Sequence, residues 1–312
     1  MKLNSLSISG LVTLDLHALN NEGAEGNTMM TRMVEIVDSN GKLATVNAIS
    51  GDMFKHIQAE HLFRIATEEG IPLCSACQVF DANRICADKS FTGSFEKGTQ
   101  DSLVLSDVLK RCILDDCEGI LITNNNKSIA RKSCIEFGWL VGRPETTRTE
   151  SYFHAKYVPE GRSAGSGAGE NLGQNIFHRP ASSGQYAAVA NVDLYKVGRN
   201  DITLGYDVGG EARLQRTKAL LKSVLYSFIK PTGAHRNTQN PHVVDFTGAV
   251  VTSANTVPAP LVSALNPAFI DEIKGISESL NTLTPSSVSV SVFNGLQEFA
   301  GIMSSIITGL EG

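Results

Sequence analysis

The chain has 312 residues, 42% of them hydrophobic and 19% charged. That is the make-up of an ordinary globular protein, long enough for two domains or for one core with a large insertion. The formal net charge of -5 excludes a protein that coats nucleic acid over its whole surface.

No apolar stretch approaches the roughly 18 residues of a membrane helix, and Met1 to Ser5 lacks the charged and apolar runs of a secretory signal. The expected location is therefore the cytoplasm, with no membrane partner. In that reducing compartment the six dispersed cysteines are expected to be free thiols.

In chain order, Leu3 to His17 places Leu6, Ile8, Leu14 and Leu16 at period two, which predicts a half-buried strand. Asn20 to Asn27, with Gly23 and Gly26, reads as a loop, because asparagine and glycine favour left-handed backbone. A helix fits Asp52 to Glu69, capped by Ser50 or Asp52 and ended by Gly70. Lys55 and His56 stand in its first turn, where cations oppose the helix macrodipole. A bound phosphate would compensate; side chains turned into water are the plainer alternative. From Ile71 to Pro180 the apolar pieces are short, Gly119 to Thr123 among them, with no sustained period, which predicts an insertion. Its end, Gly161 to Gly173, holds five glycines among serine and alanine and reads as a mobile loop or a disordered segment.

A strand over Gln185 to Val197 and a helix over Glu211 to Lys230, stopped by Pro231, come next. A donor-rich loop through His235, Arg236 and Asn237 leads to a strand over Val243 to Thr252. The chain closes with a helix from Ala268 to about Leu280, a strand through Val288 and Val292, and a helix from Leu296 to Leu310. Strands and helices recurring around one long insertion predict an α+β fold, a ferredoxin-like (RRM-like) palm with decoration.

Ala212 to Val244 carries six basic residues and no acid, whereas from Asp245 onward Lys274 stands alone against six acids. The block reads as one concentrated positive region able to attract a polyanion. Chemistry of other kinds finds little support. Gly161-Arg162-Ser163-Ala164-Gly165 fits a nucleophile elbow, but Pro159 and the following glycines deny it the strand and helix it needs. Cys74-Ser75-Ala76-Cys77 has zinc-ligand spacing, with Cys86 as a third candidate and His61 as a fourth. No second pair completes a tetrahedral set, so ordinary thiols, no metal and no cofactor are expected. What remains is the equipment of a polyanion binder. Asn20 to Asn27, Ser50 to His56 and Gly233 to Asn237 offer cations, amides and asparagine donors with few aromatics, so contacts to phosphate and sugar should dominate.

Several motifs, in order along most of the chain, resemble a known family. They are Asn20-x-x-Gly23-x-x-Gly26-Asn27, Ile49-Ser50-Gly51-Asp52-Met53-Phe54-Lys55-His56, and Pro72-Leu73-Cys74-x-x-Cys77 running to Arg84. Ser183-Gly184-Gln185-Tyr186 and the loop from Pro231-Thr232-Gly233 to Pro241-His242 complete the set. The family is the RNA-binding backbone subunit of type I CRISPR surveillance complexes (Cascade, RAMP superfamily), in the branch named for the DevR autoregulator. The resemblance implies a hand: palm over 1–70, inserted fingers over 71–183, palm again over 184–260 with a thumb-like loop near 231–242, and completion of the palm over 261–312.

It further implies a non-catalytic subunit whose copies line up along a guide RNA (crRNA), with target DNA recognised by base pairing to that guide. Foot-cap, large and crRNA-processing subunits would be further partners. On the matching positions, Ser50, Lys55 and His56 would contact guide phosphates, and Asn20 and Asn27 would line the path. Gly23, Gly51 and Arg84 belong to the same motifs, and His235, Arg236 and Asn237 to a loop near the RNA. Related subunits cut target RNA with an acid in an early loop, a place that Glu22 and Glu25 occupy here. An RNA endonuclease of the same fold is thus the rival function, and a duplex-binding regulator a third.

Overall fold

The computed structural model describes residues 2–156, 175–232 and 239–311. Strand β1 (Ser5–His17) is followed by β2 (Asn21–Glu25), β3 (Thr28–Thr31), β4 (Met33–Val37) and β5 (Leu43–Ile49), which runs into helix α1 (Gly51–Glu69). Then come helices α2 (Lys89–Thr92), α3 (Asp101–Arg111) and α4 (Ile113–Glu118). Short strands β6 (Ile120–Ile122), β7 (Ile129–Arg131), β8 (Ile135–Phe137) and β9 (Leu140–Gly142) follow. Two long strands, β10 (Arg148–Lys156) and β11 (Asn175–Val192), precede α5 (Gly210–Ile229) and β12 (His242–Ser253). Helix α6 (Phe269–Leu283), β13 (Val288–Asn294) and α7 (Leu296–Gly309) close the chain.

The main sheet runs β13-β12-β1-β11-β9-β5-β4, with β8 and β10 also paired to β11. At its centre β1 lies antiparallel between β11 and β12, with Leu6 opposite both Val192 and Thr252. The order β12-β1-β11-β8 is antiparallel throughout; α1 lies between β1 and β8 in the chain, and α5 between β11 and β12. These two helices meet side by side, with a Gln58–Ser223 hydrogen bond of 2.8 Å and Phe54 against Phe228 at 5.1 Å. Strand periodicity then sorts the side chains. Phe246 and Val250 of β12 join the large core under α1, α5 and α7, while Ala249 and Val251 on the opposite face bury a smaller cluster with Ile273 of α6. The larger core is continuous from Leu6 to Leu310 and takes in Cys74, Phe91, Val104 and Ile113 from the middle of the chain.

Four local expectations are corrected. Asn20 to Asn27 is not a loop but most of a hairpin, with Glu25 opposite Thr28 and a two-residue Gly26-Asn27 turn in which Gly26 takes φ 57°. Residues 5–10 of β1 are buried on both faces rather than one, because the segment after β12 covers Ser7 and Ser9, each through a hydrogen bond. The middle of the chain does hold a sustained helix, α3, with Val104, Leu105, Val108 and Leu109 buried on one side. The strand expected at Gln185 to Val197 begins ten residues earlier and ends at Val192, its extension being held by pairing with β10. The glycine-rich stretch 161–173 lies outside the described residues. Among the described residues no helix is long and apolar enough to cross a membrane.

Candidate nucleic-acid interface

The start of α1 is built by its cap. Ser50 holds extended backbone at ψ 149° and its Oγ accepts the Met53 amide at 3.1 Å, satisfying one of the four amides a helix leaves open. The Ser50 amide in turn donates to Asn20 Oδ1 at 2.8 Å, so two stretches thirty residues apart meet at one point. Gly51 is required by close approach: a Cβ there would sit 2.5 Å from the Phe137 carbonyl oxygen, which brings the helix start against β8.

One turn on, Lys55 settles the conflict its position creates in a way the sequence does not suggest. Its ammonium donates to the Glu118 carbonyl at 3.0 Å and to Ser133 Oγ at 2.8 Å. Arg84 Nη1 donates to the next carbonyl, Gly119, at 2.6 Å. Two cations thus cap the C-terminal end of α4, where the helix dipole is negative. Beneath them the Glu118 side chain is buried, and among the described residues neither carboxylate oxygen makes a hydrogen bond of normal geometry, although Gln58 lies near. Burial raises the Glu118 pKa against the pull of Lys55 and Arg84, and burial lowers that of Lys55. Two of the three ammonium protons of Lys55 are engaged within the protein. A cavity of about 370 Å³ opens over this pair, lined also by Asp52, His56, Phe80 and Asp81. A second hollow beside it is lined by Gly51, Lys55, Phe137 and Trp139.

The structure therefore brings Asn20, Ser50, Gly51, Lys55, His56 and Arg84 into one neighbourhood. Asn20 is buried with its oxygen committed to Ser50, whereas His56 is exposed and leans on Phe80 at 5.6 Å. Gly23 and Asn27 are exposed on the hairpin, whose Asn27 carbonyl accepts the His178 amide of β11 at 2.8 Å. His235, Arg236 and Asn237 lie outside the described residues. Their loop is approached from Thr232, bonded to Glu60 of α1, and left at Gln239, bonded to the Pro180 carbonyl of β11.

Three cations of the positive block on α5 are engaged within the protein. Arg216 is buried on Asp116 at 2.8 Å, Arg213 donates to the Leu194 and Val197 carbonyls at 3.0 Å, and Lys222 pairs with Glu69 at 2.6 Å. Sequence distance hid these partners. The same reading missed aromatic groups on the β10–β11 arm and near the helix start. Phe153 is exposed with His178 at 5.9 Å, Arg179 lies over Phe177 at 4.8 Å, and Arg32 lies over Trp139 at 5.3 Å. The available signal was the clustering of rings in Tyr152-Phe153-His154 and Phe177-His178 on either side of the glycine-rich stretch.

The acids of the early hairpin differ in setting: Glu22 forms an ion pair with Arg32, and Glu25 is exposed near the turn.

Two chains described as "CRISPR RNA-guided surveillance complex, pre-nicking" and "CRISPR RNA-guided surveillance complex" are similar in fold. The first superposes with a TM-score of 0.55 at 12% identity, covering 97% of this chain and 99% of that one. The second gives 0.51 at 12%, covering 97% and 98%. No curated protein matches. The sequence model described as "CRISPR-associated negative auto-regulator DevR/Csa2" matches residues 8–274, and with most of its length so matched the chain belongs to the CRISPR-associated DevR/Csa2 family.

Proposed function

We propose that the chain is a non-catalytic, crRNA-binding backbone subunit of a type I CRISPR surveillance complex, copies of which line up along the guide in the cytoplasm. The order β12-β1-β11-β8 with two helices on one face supports a ferredoxin-like (RRM-like) palm, and the inserted middle segment with the β10–β11 arm supplies material for the fingers; of the thumb-like loop near 231–242, residues 233–238 lie outside the described residues. The observation that carries the proposal is the convergence at the start of α1. Asn20 meets the Ser50 cap, and Lys55, His56 and Arg84 line one cavity just beyond it, where backbone amides and cations can hold a phosphate. Bases left unread by the subunit would pair with target DNA. Other copies of the chain and the foot-cap, large and crRNA-processing subunits are the expected partners. The pairing of Glu22 with Arg32 disfavours it as a metal-binding nuclease acid.

Co-expression with a CRISPR array, followed by size measurement and ultraviolet absorbance, tests this. The expected result is a large, RNA-loaded assembly with the RNA intact. Replacing Lys55 with Met and Arg236 with Ala together should weaken loading and reduce the slope of log affinity against log salt by about 1.4, roughly 0.7 per lost phosphate contact on single-stranded RNA. An unchanged slope in folded double variant, or specific cleavage of target RNA lost in Glu25→Ala, would overturn the reading.

A further inference from the structure

Cys74-x-x-Cys77 has a partner that a search for a second cysteine pair overlooks: Cys112-x-x-Asp115, with the same spacing, at the start of α4. The fold brings the two halves together. The ligand atoms of Cys74, Cys77, Cys112 and Asp115 all lie within 4.8 Å of one another, and all four residues are buried. Asp115 Oδ2 is 3.6 Å from Cys74 Sγ and 3.7 Å from Cys77 Sγ. A tetrahedral zinc with bonds of about 2.3 Å to sulfur and about 2.0 Å to oxygen separates such a pair by roughly 3.5 Å.

The surroundings of the four side chains suit a metal ion. Asp115 is 0% exposed, yet it forms no ion pair among the described residues. Its other oxygen, Oδ1, is 3.4 Å from the Ile85 amide, a bond that turns Oδ2 toward the three sulfurs as outer-shell bonds orient metal ligands. The Cys77 amide points at Cys74 Sγ at 3.4 Å, as backbone donors do to thiolate ligands. A buried carboxylate facing three sulfurs without a cation is costly, and a divalent ion would relieve it. The candidates suggested by sequence lie elsewhere: Cys86 Sγ is directed to the Leu121 carbonyl at 3.5 Å, and His61 Nε2 to the Lys230 carbonyl at 2.9 Å.

We propose that Cys74, Cys77, Cys112 and Asp115 bind one structural Zn²⁺. Three thiolates select a soft ion, and four protein ligands with no exposed position leave no place for a reacting water. Each thiol gives up its proton on binding, so uptake releases protons to solvent. The ion fastens the 72–88 segment to the first turn of α4, a junction also made by the Ile113 amide to the Pro72 carbonyl at 2.9 Å. The far end of that helix presents the carbonyls that receive Lys55 and Arg84. The metal therefore fixes one wall of the cavity, and its presence does not depend on the chain binding RNA.

Elemental analysis of the full chain, purified under reducing conditions without chelator, should give about one zinc per chain. Cys86→Ser should keep the metal, and Cys112→Ser should lose it. Because Cys112→Ser can also unfold the core, the second measurement uses the wild type. After removal of zinc, titration with cobalt(II) alone should produce the sulfur-to-cobalt charge-transfer band in the near ultraviolet and the intense visible d–d bands of a tetrahedral thiolate site. Asp115→Cys should retain the ion and shift the d–d bands to longer wavelength. A folded wild-type chain that carries no zinc and gives no cobalt spectrum would overturn the proposal, as would full zinc retention in folded Cys112→Ser.

Discussion

His17, at the end of β1, is 2% exposed and edge-on to Tyr186 at 5.0 Å, with Nδ1 3.4 Å from the Leu19 amide and Nε2 without a hydrogen-bond partner among the described residues. Burial lowers its pKa from 6.5 to about 4. The folded state therefore keeps it neutral in a window where the unfolded chain takes up a proton. Above roughly pH 6.5 the residue leaves stability unchanged; between there and about pH 4 stability falls, by about 3 kcal/mol in all, and then levels off. Urea midpoints measured across this range should show a shallower acid limb for His17→Phe than for the wild type. Parallel curves would contradict the assignment. At the same scale, sequence identified Ser50, Gly51, Lys55 and His56 as a group, but not what each does. The reason is that the carbonyls receiving Lys55 and Arg84 lie 63 and 35 residues away.

Helix α1 was legible because its signals are local. Ser50 caps it, Gly70 ends it at φ 66°, and the apolar side follows helical spacing. Ser50→Ala should lower stability by about 1 kcal/mol through the lost cap, read from the urea midpoint at constant slope, while Ser50→Gly should cost only a few tenths. Equal losses in the two variants would show that the hydroxyl does something other than capping. The β2–β3 hairpin was lost for a different reason. Glycine and asparagine were treated as strand breakers, yet Gly26-Asn27 is a two-residue hairpin turn that starts the return strand. In β1 the period-two rule failed at Ser7 and Ser9, since a polar residue can be buried where a later segment supplies its hydrogen bond.

For the whole molecule, the decisive interaction is Asp116. It is fully buried, bonded to Arg131 and Arg216 at 2.8 Å each and to the Gly198 amide at 3.1 Å, so one carboxylate ties α4, β7, α5 and the turn before α5. Asp116→Ala should destabilise by about 3 to 5 kcal/mol, because Arg216 would be left buried without a counter-charge and Arg131 would keep only Asp201, at 3.0 Å. Calorimetry would check it, and a loss below about 1 kcal/mol would mean that water replaces the carboxylate at Arg216 and that Asp201 suffices for Arg131. The same network removes Arg216 from the basic block on α5, so charge counted along the sequence overstates what that helix offers at the surface.

The sequence alone determined the helices with clear caps, the central strands, and the family motifs, including the block from Ser50 to His56. These depend on residues within a few positions of each other, where periodicity and capping act. Tertiary structure decided which cations remain available, which polar faces are covered, and that Cys112 and Asp115 join Cys74 and Cys77. Those outcomes depend on atoms meeting across dozens of residues, and spacing along a chain carries no information about distance in space until the sheet and its helices have packed.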